Sequence, residues 1–168
     1  MIHETARLVI RRMSSGDAPF ILELLNDAAF LRYIGDKGVR SIDGALKYIT
    51  DGPVASYARH GFGLDVVCLK AGLTPIGISG LLKRDTLPEP DIGFAYLAPY
   101  CGSGYGYEAA AATLAHARDV LHIPRVLAIT SPDNAASIAL LGKLGFQFER
   151  LTALTAGASE VRLFSRTF

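Results

Sequence analysis

The sequence predicts a mixed α/β fold, and three observations carry that prediction. Runs rich in β-branched and apolar residues open, centre and close the chain; apolar stripes at helical spacing lie between them; and a glycine-rich junction, Tyr100-Cys101-Gly102-Ser103-Gly104-Tyr105-Gly106, joins a readable strand to a readable helix. The predicted order is one strand, several helices, three strands, a helix, a strand, a helix and two strands.

Thr5 to Arg12 alternates Leu8 and Ile10 with Arg7, Val9 and Arg11, as a half-buried strand does. Ser14-Ser15-Gly16-Asp17 follows with capping-box spacing, and Phe20, Ile21, Leu24 and Leu25 then mark one face of a helix over Asp17 to Asn26. A short helical turn covers Ala28 to Ile34 and is broken by Gly35-Asp36-Lys37-Gly38. Ser41 caps the next helix, with Ile42, Leu46 and Ile49 inward; Asp51-Gly52-Pro53 interrupts it, and Val54 to His60 resumes it. Gly63 to Leu69 and Pro75 to Leu82 read as a hairpin around Lys70 to Thr74. Leu87-Pro88-Glu89-Pro90 cannot be helix interior and feeds the strand Asp91 to Leu97. From Gly106 to Leu121, Ala110, Leu114, Ala117 and Leu121 line one side of a helix. The strand Arg125 to Thr130 and the helix Asn134 to Leu144 come next; Gly145 stops that helix, and Phe146 to Leu154 pairs with Glu160 to Arg166.

With 168 residues the chain is expected to form a single domain, 1–168, burying about 70% of its unfolded surface. A net charge of +1, from 17 basic and 16 acidic residues without long blocks, points to neither nucleic acid nor an anionic membrane. The opening Met1-Ile2-His3-Glu4 lacks the character of a secretory signal and no apolar run approaches the ~20 residues that span a bilayer, so a cytoplasmic location is expected. Cys68 and Cys101 make neither a disulfide framework nor a metal-ligand spacing, and His3, His60, His116 and His122 form no ligand pair; no metal is expected. Cys101 lies near a helix N-terminus, which can lower a thiol pKa, but a small side chain lining the loop is the preferred reading.

The glycine junction is where chemistry is expected. Alternating glycines remove side chains that would block a ligand, and the first helical turn offers unpaired N–H groups and the positive end of its dipole, which together suit a phosphate. A P-loop would need Lys then Ser or Thr after the last glycine, where Tyr107 and Glu108 stand. A dinucleotide unit would need an acid ending the next strand, but that strand runs into Ser131-Pro132 and its first acid is Asp133. That second reading fits poorly without being excluded.

The run fits a third pattern. Cys101 to Gly106 resembles the R/Q-x-x-G-x-G/A signature of the GNAT superfamily of N-acetyltransferases, with Gly104 and Gly106 at the glycine positions and Cys101 where Arg or Gln is usual. Gly102-Ser103-Gly104-Tyr105-Gly106-Tyr107-Glu108-Ala109 is similar to the G-x-G-Y-[AG]-x-E-A run of the branch resembling ribosomal-protein N-terminal acetyltransferases (RimJ/RimL-like). Asn134 to Phe146 resembles that family's N-x-x-S-x-x-[LV]-L-x-K-x-G-F segment, and Thr5 to Arg11 its opening strand.

The resemblance implies a GNAT-type fold: a mostly antiparallel sheet of six to seven strands, with a splayed parallel pair and helices on both faces. It implies acetyl-CoA as cosubstrate, with the diphosphate on the backbone of Gly102, Ser103, Gly104, Tyr105, Gly106 and Tyr107, and the pantetheine arm between the strands Asp91 to Leu97 and Arg125 to Thr130. Backbone N–H near Tyr96 or Leu97 is expected to bind the oxyanion. Asn134 both caps its helix and contacts the pantetheine, and Ser137 hydrogen-bonds or protonates the departing sulfur, since Leu141 stands where many members have a Tyr. Asp91 and Glu89 are candidates to relay the proton of the attacking amine, and equally candidates for a solvated strand end. At pH 7, deprotonation costs about 4.6 kcal/mol for a lysine amine and about 1 kcal/mol for an α-amine. The expected activity is therefore acetyl transfer to a primary amine, more readily a peptide or protein N-terminus than a small molecule, by a monomer or homodimer. A non-catalytic acyl-CoA-binding module is the alternative of another class.

Overall fold

The structure, a computed structural model, describes residues 3–168. Its framework is one eight-stranded sheet in the order β1-β2-β3-β4-β5-β6-β8-β7, antiparallel throughout except at β5 and β6. The strands are β1 (His3–Glu4), β2 (Leu8–Arg12), β3 (Leu64–Leu69), β4 (Pro75–Leu82), β5 (Asp91–Tyr96), β6 (Arg125–Thr130), β7 (Gln147–Thr152) and β8 (Val161–Thr167). The helices are α1 (Ala18–Leu25), α2 (Ala28–Tyr33), α3 (Ile42–Ile49), α4 (Ala55–His60), α5 (Tyr105–Asp119) and α6 (Ala135–Lys143).

The sheet exceeds the expected six to seven strands because the opening segment is not one strand. The Thr5 amide donates to Leu8 O (3.0 Å) and the Leu8 amide to Thr5 Oγ1 (3.1 Å), a tight turn that folds His3–Glu4 back onto β2.

Two layers of helix cover the sheet. On one face, Ile21, Leu24 and Leu25 of α1 and Ala45 and Ile49 of α3 pack on Val66, Cys68 and Ile78. On the other, Ala110, Leu114 and Ala117 of α5 and Leu141 of α6 meet Leu81, Ile92, Val126 and Ala128. Ile21, Leu24, Leu114 and Leu141 are essentially fully buried, each worth about 1.5–3 kcal/mol by transfer from water. Ile42, expected inward, is exposed: it occupies the first position of α3, ahead of the Ala45 and Ile49 contacts.

Pro53 does not interrupt the third helix. The backbone widens into a π-helical stretch over Thr50–Val54 that contains Pro53 and runs directly into α4. A wider turn relieves the clash that a proline ring makes with the preceding turn. The rod ends at Gly61, whose φ of 78° is the left-handed stop that glycine adopts readily.

Candidate active site

β5 and β6 meet at one point only. Asp91 pairs with Leu127, and the Leu127 amide donates to Pro90 O at 2.9 Å; beyond that pair no rung joins the two strands. Two neighbouring strands joined only at their beginnings form a V that opens toward Tyr96 and Thr130. Successive N–H groups of a strand point to opposite sides, and the Leu97 amide donates to Ile76 O of β4 at 3.0 Å. The Tyr96 and Phe94 amides therefore face the opening, whereas that of Leu97 is occupied. Phe94 is a candidate donor that sequence reasoning missed, because which strand parity faces a gap depends on pairing across the sheet.

After β5 a 3₁₀ turn, Ala98–Tyr100, leads into the glycine loop. Gly102 (φ 83°) and Gly104 (φ 82°) both take left-handed backbone, and Gly104 is the residue from which α5 starts. Among the described residues, the amides from Gly102 to Tyr107 have no hydrogen-bond acceptor; the Glu108 amide, bonded to Gly104 O at 3.1 Å, is the first to find one. Left-handed glycines between such amides form a concave nest for an anion, aligned with the positive end of the α5 dipole. A Cβ on Gly102 would meet nothing within 4 Å, so that side of the loop is open. Gly106 differs: a Cβ there would lie 3.3 Å from Leu140 Cδ2 and 3.5 Å from the Tyr96 ring. Its position serves the approach of α5 to α6 and β5.

The loop is clamped from the start of the chain. Glu108 Oε1 accepts from Thr5 Oγ1 (2.6 Å) and the Arg7 amide (2.8 Å), and Oε2 accepts from Arg7 Nε (2.8 Å). Arg7 Nη1 donates to Ser103 O at 2.9 Å, and its guanidinium lies 4.4 Å from the Tyr105 ring centroid. Burial works against the Glu108 charge, but these donors hold its carboxyl below the usual range. Residues this far apart in sequence leave no local signal of their pairing.

Along the opposite wall, Asn134 Oδ1 accepts from the Ser137 amide at 3.2 Å, as an N-cap does, while among the described residues Asn134 Nδ2 has no acceptor. One carboxamide can thus cap α6 and offer a donor to the opening. The Ser137 hydroxyl is half-buried and makes no bond back to its own helix. Ser131, to which the sequence assigns no role in the site, donates from Oγ to Tyr33 O at 2.6 Å and ties the end of α2 to the mouth of the V.

Asp91 and Glu89 lie at the other, closed end. Asp91 is fully buried and accepts from Arg84 Nε at 3.0 and 3.2 Å; burial raises its pKa, against the pull of Arg84. Glu89 accepts from Arg125 Nη1 at 3.1 Å. Cys101 Sγ lies near Leu97 O, and burial, aided by the Asp27 charge, raises its pKa instead of lowering it. It is an ordinary thiol lining the loop.

A sequence model of the acetyltransferase (GNAT) domain matches residues 7–147. The chain belongs to the GNAT acetyltransferase family. It is similar to the uncharacterized N-acetyltransferase YoaA of Bacillus subtilis strain 168, 27% identical over 150 residues, 88% of this chain and 84% of that protein. The GNAT fold recurs in an acetyltransferase from Agrobacterium tumefaciens (TM-score 0.85, 21% identity, 100% of this chain and 95% of that one). It recurs also in RimL, a ribosomal L7/L12 α-N-protein acetyltransferase in complex with coenzyme A (TM-score 0.83, 18% identity, 100% and 98%). The protein is accordingly a GNAT N-acetyltransferase, of a family that uses acetyl-CoA. Among the described residues, no helix is long and apolar enough to cross a membrane.

Proposed function

We propose that this GNAT enzyme, acting as one cytoplasmic domain, transfers acetyl from acetyl-CoA to the α-amine of a peptide or protein N-terminus. The observation that carries the reading is the row of acceptor-less amides from Gly102 to Tyr107 beside a V opening between β5 and β6. The diphosphate rests on those amides and the pantetheine arm enters the V, held by Asn134 Nδ2. The neutral amine attacks the thioester carbonyl; the C–N bond forms, the oxyanion is met by the Tyr96 or Phe94 amide, and the C–S bond breaks. Ser137 Oγ–H donates to the departing sulfur and regains a proton, through water, from the new ammonium.

Two features favour an α-amine. The acids Asp91 and Glu89 are engaged with Arg84 and Arg125 at the closed end, so neither serves as base at the mouth. An amine that needs only about 1 kcal/mol to deprotonate tolerates that better than one needing about 4.6. The ribosomal L7/L12 α-N-protein acetyltransferase among the fold neighbours is consistent with it.

Calorimetric titration with acetyl-CoA, followed by a free-thiol assay over peptides and small amines, tests the reading. Thiol release should be fastest with peptides bearing a free α-amine and absent when that terminus is blocked. Faster turnover of an amino acid, polyamine or aminoglycoside overturns the acceptor class, and tight binding with no turnover on any amine selects a non-catalytic binding module. Ser137→Ala should lower turnover about tenfold or more with little change in coenzyme affinity; an unaltered rate removes Ser137 from the mechanism.

A further inference from the structure

A coenzyme diphosphate carries negative charge, yet the loop assigned to it brings no cation of its own. Residues 101–107 are Cys, Gly, Ser, Gly, Tyr, Gly and Tyr, and the Cys101 thiol is held neutral. Among the described residues, Arg7 is the cation whose hydrogen bonds reach this loop, and it comes from the turn before β2.

The Arg7 donors are only partly engaged. Nε donates to Glu108 and Nη1 to Ser103 O, whereas among the described residues Nη2 has no acceptor. Nη2 lies 3.2 Å from the point where a Cβ would stand on Gly104, directly against the left-handed turn from which α5 begins. Glu108 occupies only the Nε donor of the fork, through Oε2, while its Oε1 accepts from the Thr5 hydroxyl and the Arg7 amide. The Tyr105 face, 4.4 Å from the guanidinium, together with the Nε and Nη1 bonds, fixes the plane of the fork. The side chain remains about half exposed, at 47%, so a ligand can reach it. A planar fork with free N–H groups, oriented beforehand, is the side chain best suited to a phosphate.

We propose that Arg7 is a ligand of the coenzyme diphosphate, supplying from the start of the chain the cation that the glycine loop lacks. The proposal rests on the loop being the diphosphate site. Nη2 donates to a phosphate oxygen while Nε and Nη1 keep their contacts with Glu108 and Ser103. Thr5 and Glu108 are then positioning residues that hold the guanidinium over the loop.

The test compares two acetyl donors, acetyl-CoA and S-acetyl-pantetheine, which lacks the diphosphate, with wild type, Arg7→Gln and Arg7→Lys. Affinity by calorimetry and kcat/KM are the readouts, and thermal unfolding checks the fold. Arg7→Gln should weaken acetyl-CoA about tenfold to a hundredfold, the range of one charge-assisted hydrogen bond, and leave S-acetyl-pantetheine within about twofold. It should also flatten the salt dependence of acetyl-CoA affinity. If Arg7→Gln does not fold, Arg7→Lys, which keeps the charge but not the fork, should still lose several-fold on acetyl-CoA alone. Equal losses on both donors would mark a general disturbance of the site, a loss on acetyl-CoA with its salt dependence unchanged would reduce Arg7 to a brace for the loop, and unchanged acetyl-CoA affinity would remove it from the site; each of these results overturns the proposal. Wild-type protein that binds no acetyl-CoA refutes the loop assignment itself, a distinct outcome.

Discussion

Asp65 gives a prediction whose size follows from its surroundings. It stands on β3 beside a cavity of about 40 Å³ at the far end of α5 from the glycine loop, shared with Arg12, Tyr57, His3 and His116. The Tyr57 hydroxyl lies close enough to favour its charge, although that group donates to Leu64 O and accepts from the Met13 amide. Among the described residues Asp65 Oδ1 is buried with no hydrogen-bond partner, and burial, outweighing the pull of Tyr57 and Arg12, raises the carboxyl pKa from 3.8 to about 6. That difference of about two units, at 1.36 kcal/mol each, amounts to about 3 kcal/mol. The folded form holds this proton more tightly than the unfolded chain. The penalty is therefore absent below pH about 3.8, grows between there and pH about 6, and is complete above. Asp65→Asn, which never ionises, should thus be more stable than wild type by up to about 3 kcal/mol at pH 7, raising Tm by about 6–12 °C in a chain of this size. At pH 4 the gap should nearly vanish. Urea denaturation of both proteins at pH 4, 5.5 and 7 measures it. An Asp65→Asn protein no more stable than wild type at pH 7, or a gap that does not narrow toward pH 4, refutes the reasoning.

Two further substitutions probe the site's framework. Gly104→Val forces a branched residue into φ 82° and places a Cβ 3.2 Å from Arg7 Nη2, so it should cost about 1–2 kcal/mol or more in urea denaturation and abolish acetyl-CoA binding by calorimetry; unchanged affinity refutes the loop placement. Arg84→Met leaves the buried Asp91 carboxylate unpaired and should lose about 3–5 kcal/mol of stability, much of it regained in Arg84→Met/Asp91→Leu; if the double variant is no better than the single, Asp91 is not the source.

The legible parts were those written locally. Ser14 to Asp17 announced the start of the first helical segment, and the Ser14 amide indeed donates to the Asp17 carboxylate at 2.9 Å. Ser41 was readable as a cap because its hydroxyl accepts from the Gly44 amide, three residues on. The strands around the V were legible from composition, and the glycine loop from spacing. What local reading misjudged is equally physical. Thr5 turns the chain back because its hydroxyl and amide both find Leu8, which an alternating pattern does not reveal. Pro53 reads as a breaker unless the helix is free to widen. The Arg7–Glu108 clamp and the Ser131–Tyr33 tie join residues about a hundred positions apart, so only the folded sheet brings them together.

The lone rung between Asp91 and Leu127 makes the parting of β5 and β6 a lever. From that fulcrum to Tyr96 the strand runs about 17 Å, so a swing of roughly 10° moves its tip by about 3 Å. Reacting atoms must approach within about 3–3.5 Å, so such a swing separates alignment from idleness. On the proposed mechanism, Arg84 bracing the pivot and Ser131 fastening the far arm are therefore expected to influence turnover by setting the gape of the jaws.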